Sequence, residues 1–137
     1  MSRENVDLVR SIFADWERGD FSRAGWAHPE IEYVIADGPE PVSLIGVAKM
    51  AESWGGFLRS WERYRVEVDE YRELDNERVL VLVHRAGRGK RSGLELGQMR
   101  TLGAAVLRVR DGKVTRFVGY HDRDRAFVDL GLSPEDR

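Results

Sequence analysis

The stretch RFVGYHDRDRAF, residues 116–127, sets His121 and Asp122 side by side next to Tyr120, and His84 and Asp37 are the other side chains suited to moving a proton. An imidazole titrates near neutral pH, so His121 and His84 are candidates for base, acid or ligand anchor. Facing one cavity, the two would bracket a polar group on a bound molecule. Taken singly, His121 reads rather as the cap of a strand end in solvent, and His84 as a core histidine satisfied by backbone. Asp37 is the third candidate, either a base whose pKa is raised by the apolar neighbours Tyr33 and Ile35 or a turn residue in Asp37-Gly38-Pro39. Asp122 directly precedes a helical pattern and reads as its N-cap. By strand alternation Asp122 and Tyr120 point away from His121. The adjacent pair is therefore no dyad, and a partner for His121 belongs across the cavity, at His84 or Asp37.

Other chemistries are excluded or disfavoured. The chain has no cysteine, so disulfides and thiolate nucleophiles are out. His28, His84 and His121 lack the spacing of a metal site; no metal and no cofactor are expected. The basic, glycine-rich GRGKRSG, with Arg85 beside it, lacks the spacing and following helix of a phosphate loop and reads as a solvated hairpin loop. A net charge of -2 gives no reason to expect nucleic acid. With 137 residues, 42% hydrophobic and 34% charged, the chain is expected to form one soluble domain over residues 1–137. No apolar run reaches the roughly 18 residues of a membrane span, and MSRENVDLVR lacks a signal-peptide core. A cytoplasmic address and no membrane partner are the expectation.

These residues must be held by regular elements. Val6, Val9, Phe13 and Trp16 recur at helical spacing, with Ser2 or Asn5 as cap and Gly19 as stop. GDFSRAGWAHP suggests a short helical turn ending near His28-Pro29. IEYVIAD reads as a strand with Ile31, Tyr33, Ile35 and Asp37 on one face. GPEPVSLIG reads as a turn region, and VAKMAESWGGFLRSW as a second amphipathic helix carrying Trp54 and Trp61, with Gly55-Gly56 inside it. Four strands follow as an antiparallel meander: RYRVEVDEYREL and ERVLVLVHRA about Asp75-Asn76, then LELGQMRTLGAAVLRVR and KVTRFVGYHD about Asp111-Gly112. RDRAFVDLGL closes the chain as a short helix stopped by Gly131. The order argues for an α+β fold with helices over one face of a curved sheet.

The opening VRSIFADWERGDFSRA with HPEIEY, the GRGKRSG loop and VLRVRDGKVTRFVGYHDRDRAFVDLGL resemble the SnoaL-like branch of the nuclear transport factor 2-like superfamily. The resemblance implies a cone-shaped, mostly antiparallel sheet around an internal pocket closed by the N-terminal helices, and a homodimer through the outer sheet face. Residue by residue, it implies that Leu80, Leu82, His84, Phe117, Gly119 and His121 face the pocket, with Trp16 and Trp54 among the large side chains lining it. Tyr33 shares the inward face of its strand, and Met99 or Gln98 faces inward too, the phase of that long strand being open. Asp37 lies nine residues before Gly46, as the base of ketosteroid isomerases lies before its glycine; a gapless alignment from His28-Pro29 puts Ile35 there instead. The isomerase tyrosine and protonated aspartate fall on Ile12 and Ala105, which cannot donate to an enolate, so steroid isomerisation of that type is not expected.

Three functions follow as expectations. The first is a pocket for a small hydrophobic ligand with cofactor-free acid–base chemistry, such as isomerisation, cyclisation, hydration or dehydration, at His121, His84 and Asp37. The second is a ligand-binding module without a reaction. The third is a dimerisation or docking domain built on the outer sheet.

Overall fold

A computed structural model describes residues 2–38, 41–59, 61–89 and 101–132. The elements run α1 (Ser2–Glu17), β1 (Ala27–Ile35), β2 (Val42–Ile45), α2 (Val47–Arg59), β3 (Trp61–Glu73), β4 (Arg78–Gly89), β5 (Thr101–Arg110), β6 (Lys113–Tyr120) and α3 (Arg123–Leu130). The strands form one curved sheet in the order β2-β1-β6-β5-β4-β3. β3 to β6 make the expected antiparallel meander, and β1 joins it by pairing parallel with β6. Asp111 and Gly112 both take positive φ, 50° and 76°, the backbone that a two-residue hairpin turn of matching twist requires.

Four local readings are corrected. Asp20 to Ala24 form no helical turn; the Asp20 carboxylate accepts from the amide and hydroxyl of Ser22 at 3.1 and 2.6 Å, an alternative to helix that short polar side chains offer the backbone. His28 and Pro29 lie inside β1, where the pairing with β6 shifts register between Ala27 and Glu32, the kind of irregularity that tolerates a proline. GPEPVSLIG holds an edge strand as well as a turn, since β2 pairs antiparallel with β1. Nor does Asn5 cap α1: it sits within the helix and donates from Nδ2 to the Asn76 carbonyl at 2.7 Å, tying α1 to the β3–β4 hairpin.

The sheet buries apolar side chains on both faces. On the inner face, Val9, Ile12, Phe13 and Trp16 of α1 pack with Val79, Val81, Val83, Ala105, Leu107 and Phe117. On the outer face, Ala126 and Phe127 of α3 cover Leu80, Leu82, Ala104, Val106, Val118 and Tyr120. Cross-strand register fixes these assignments, because Val81, Ala105 and Gly119 stand in one row and Leu82, Ala104 and Tyr120 in the next.

That register overturns part of the expected site. Leu80, Leu82 and His84 do not face the pocket; they lie on the outer face, and Val79, Val81, Val83 and Arg85 take the inward positions. Val79 to Val83 form an unbroken apolar run buried on both sides, so a spacing of two fits either phase equally well.

Candidate functional site

The inner face of the sheet, α1 and α2 line a partly open cavity of about 1260 Å³, roomy beside the few hundred to ~1,000 Å³ usual for a small-molecule site. Its wall is aromatic. Tyr33 stacks on Phe117 at 5.5 Å, Trp16 meets Phe117 at 6.1 Å and Trp54 at 5.8 Å, and Trp54 stacks on Phe57 at 5.3 Å and 5°. Phe57 in turn lies 6.4 Å from the His121 ring. Such rings carry large apolar area with little rotamer freedom, which suits a flat organic guest.

His121 follows the last residue of β6, and its half-buried ring lines the cavity. Two features seat it. Its backbone amide donates to Asp37 Oδ1 at 2.7 Å, while the next amide, of Asp122, donates to Oδ2 at 3.0 Å. The ring then lies over Gly38, where a Cβ would stand 2.7 Å from the imidazole Cδ2, and where φ is +89°. No other residue type satisfies both the backbone and the contact. Burial holds the His121 pKa below its ordinary 6.5, with Arg85 acting in the same direction and Asp37 against it. The ring is accordingly neutral at pH 7, with a free nitrogen able to accept a proton.

Asp37 therefore acts through backbone. Both of its oxygens are engaged with the strand-to-helix junction, it is not among the cavity-lining residues, and it positions His121. Asp37→Ala is expected to lower stability by about 1.5–3 kcal/mol, the usual range for hydrogen bonds to a charged group, and to shift the His121 resonances; urea denaturation and NMR measure both. Unchanged stability would contradict the role.

His84 is placed elsewhere. On the outer face its Nδ1 lies 2.7 Å from Asp69 Oδ1 and its Nε2 3.2 Å from Glu67 Oε2. Asp69 also accepts from Arg123 Nη2 at 2.7 Å. Burial opposes ionisation of Asp69, but the hydrogen bonds from Arg123 and His84 outweigh it and hold the carboxyl below its ordinary value. Arg123 itself is 6% exposed and donates to the carbonyls of Val83 at 2.6 Å and Gly103 at 3.3 Å.

Of the expected ligand-contacting residues, Trp16, Tyr33, Trp54, Phe117 and Gly119 line the cavity together with His121; Leu80 and Leu82 do not, and Met99 lies outside the described residues. Sequence reasoning missed Tyr64 and grouped Arg85 with a solvated hairpin loop, whereas both line the cavity. Arg85 stands on the inner face of β4 opposite Val66, with its guanidinium beside the Tyr64 hydroxyl. Burial raises the Tyr64 pKa, with Arg85 partly opposing it, and pushes Tyr33 up to about 12 with Tyr64 adding to the shift. Both phenols remain protonated donors at neutral pH. Among the described residues no group of His, Cys, Asp and Glu is arranged to hold a metal, and no helix is long and apolar enough to cross a membrane.

Comparison with known proteins places this geometry in a wider set. A family model described as SnoaL-like domain matches residues 9–117. No curated protein matches the chain. Among solved structures, an NTF2-like protein of unknown function from Burkholderia pseudomallei K96243 superposes with a TM-score of 0.74 at 18% identity, over 91% of this chain and 95% of that one. TerC, co-crystallised with polyporic acid, gives 0.71 at 21% identity, over 93% and 97%. A candidate polyketide cyclase from Xanthomonas campestris pv. campestris gives 0.67 at 22%, over 94% and 98%. At such identities the likeness is one of fold.

Proposed function

We propose, for a chain that belongs to the SnoaL-like domain family, that the cavity binds a flat hydrophobic organic molecule and that His121 exchanges a proton with it. The observation that carries this reading is the neutral, half-buried His121 ring set into an aromatic wall around a cavity of about 1260 Å³. TerC, of the same fold, was crystallised with the organic ligand polyporic acid, which supports the class of guest. Isomerisation, cyclisation, hydration and dehydration can each be driven by such a base, with no cofactor needed to move the proton. Function is proposed to reside in a single domain over residues 1–137. Its outer sheet face, where Leu102 is 43% exposed, is the surface on which a second copy would pack to form a homodimer. A chain without cysteine suits the reducing cytoplasm proposed as its location.

Histidine NMR titration with and without an aromatic probe such as anthracene tests the proposal. His121 is expected to titrate below 6.5 and to move with saturable probe binding, while His84 on the outer face stays put. Because protonation is favoured in the unfolded chain, the His121 contribution to stability is complete above pH 6.5 and is lost as pH falls through the depressed folded value. For any substrate turned over, kcat/KM falls through that same folded value, and His121→Ala removes this limb. Saturable binding without a His121 response would defeat the assignment of the base.

A further inference from the structure

Arg85 is a charged cavity residue whose chemistry is incomplete among the described residues. Its guanidinium is cationic at all working pH values, and it lines the cavity with its stem across Gly103, where a Cβ would stand 3.4 Å from Nε. Nε is buried and has no hydrogen-bond partner among the described residues. The neighbouring Tyr64 hydroxyl is neutral and supplies no counter-charge. None of the ion pairs among the described residues includes Arg85. The wider lining has the same bias, with Lys49 and Arg59 of α2 joining Arg85 against a single described carboxylate, Glu52. A half-buried cation is favoured by a nearby counter-charge, and a guanidinium fork matches two oxygens of one anion better than any other group.

Building on the reading of the cavity as a ligand site, we infer that its guest is a flat organic acid, which sets an anionic oxygen group against Arg85 and Tyr64 and its apolar body against Trp54 and Phe57. Phe57 meets Tyr64 edge-on at 5.2 Å and stacks on Trp54, so acid anchor and aromatic wall are continuous. His121, beside Phe57, is then placed to act on the portion of the guest beyond the acid group. Arg85 thereby selects the guest by charge and sets its orientation.

Calorimetric binding of anthracene-2-carboxylate and of its uncharged amide to the full chain tests the inference. The carboxylate is expected to bind at least about tenfold more tightly, the least that one charge-assisted hydrogen bond supplies. Arg85→Met abolishes that preference by weakening the carboxylate more than the amide, and Arg85→Lys restores part of it. Equal binding of acid and amide to the wild-type chain overturns the inference and leaves the ligand site intact, and this comparison depends on no variant folding. An equal loss for both compounds in Arg85→Met also overturns it. Absence of saturable binding by either compound overturns the ligand site and the inference together.

Discussion

Trp16→Ala is expected to cost about 3 kcal/mol of stability, near the lower end of the range for removing a buried tryptophan. The indole is 8% exposed and contacts five other rings: Phe13 at 4.6 Å, Trp54 at 5.8 Å, Trp26 at 5.9 Å, Phe117 at 6.1 Å and Phe21 at 6.2 Å. These rings are anchored on α1, α2, β6 and the α1–β1 connection, so no single shift refills the space. The lower end applies because one edge of Trp16 already faces the cavity and has fewer packing contacts to lose. Urea denaturation should show the loss, with Trp16→Phe recovering part of it. Aromatic probes should bind Trp16→Ala more weakly as well, since Trp16 joins the Phe117 and Trp54 sections of the wall. A cost below about 1 kcal/mol would mean that α1 closes the cavity by other contacts.

The second large effect belongs to the opposite face. Arg123→Met keeps most of the side-chain volume and removes three hydrogen bonds, to the Val83 and Gly103 carbonyls and to Asp69. It is expected to cost about 2–3 kcal/mol, less than a fully buried pair because the Asp69 side chain is 37% exposed and partly screened. The pH dependence is the specific readout. Asp69 has a folded pKa below the ordinary 3.8, so its contribution is present above about pH 4 and is lost as pH falls through the folded value. In Arg123→Met the acid limb of stability should become shallower, while probes of the cavity bind as before. A parallel limb would show that the Arg123–Asp69 contact adds nothing.

Much of this fold is readable from local pattern. Asp122 accepts from the Asp124 amide at the start of α3, and Gly131 ends that helix at φ 70°; both signals depend on a few neighbouring residues. Trp16, Tyr33 and Phe117 lie on amphipathic elements with one apolar side, so their orientation is legible too. The phase of β4 is not, because both faces of Val79–Val83 are buried. A usable signal lies one strand earlier. In β3 the apolar residues run Tyr64, Val66, Val68 and then Tyr71, an even-to-odd switch that marks the register shift between Val68 and Glu70. Pairing Tyr71 with Val81 across the Asp75-Asn76 hairpin then turns Val83 and Arg85 inward and His84 outward. Arg123 was illegible for another reason: its partners Asp69, Val83 and Gly103 are 54, 40 and 20 residues away, and nothing in RDRAFVDL distinguishes a buried arginine from a solvated one.

The two apolar clusters on opposite faces of one sheet have a consequence for change over generations. The inner cluster is interrupted by a large cavity, whereas the outer one, from Leu80 and Leu82 to Phe127, is closed by α3. Substitutions that reshape the guest chamber draw on a reserve of folding free energy held on the far side of the sheet by residues such as Leu80, Leu82 and Phe127, which do not line it. Sites more than ~7–10 Å apart with no shared partners contribute nearly additively, so a stabilising change beneath α3 can offset a destabilising one in the wall without altering what the wall recognises. Chamber chemistry and structural tolerance can therefore evolve on separate surfaces of the same six strands.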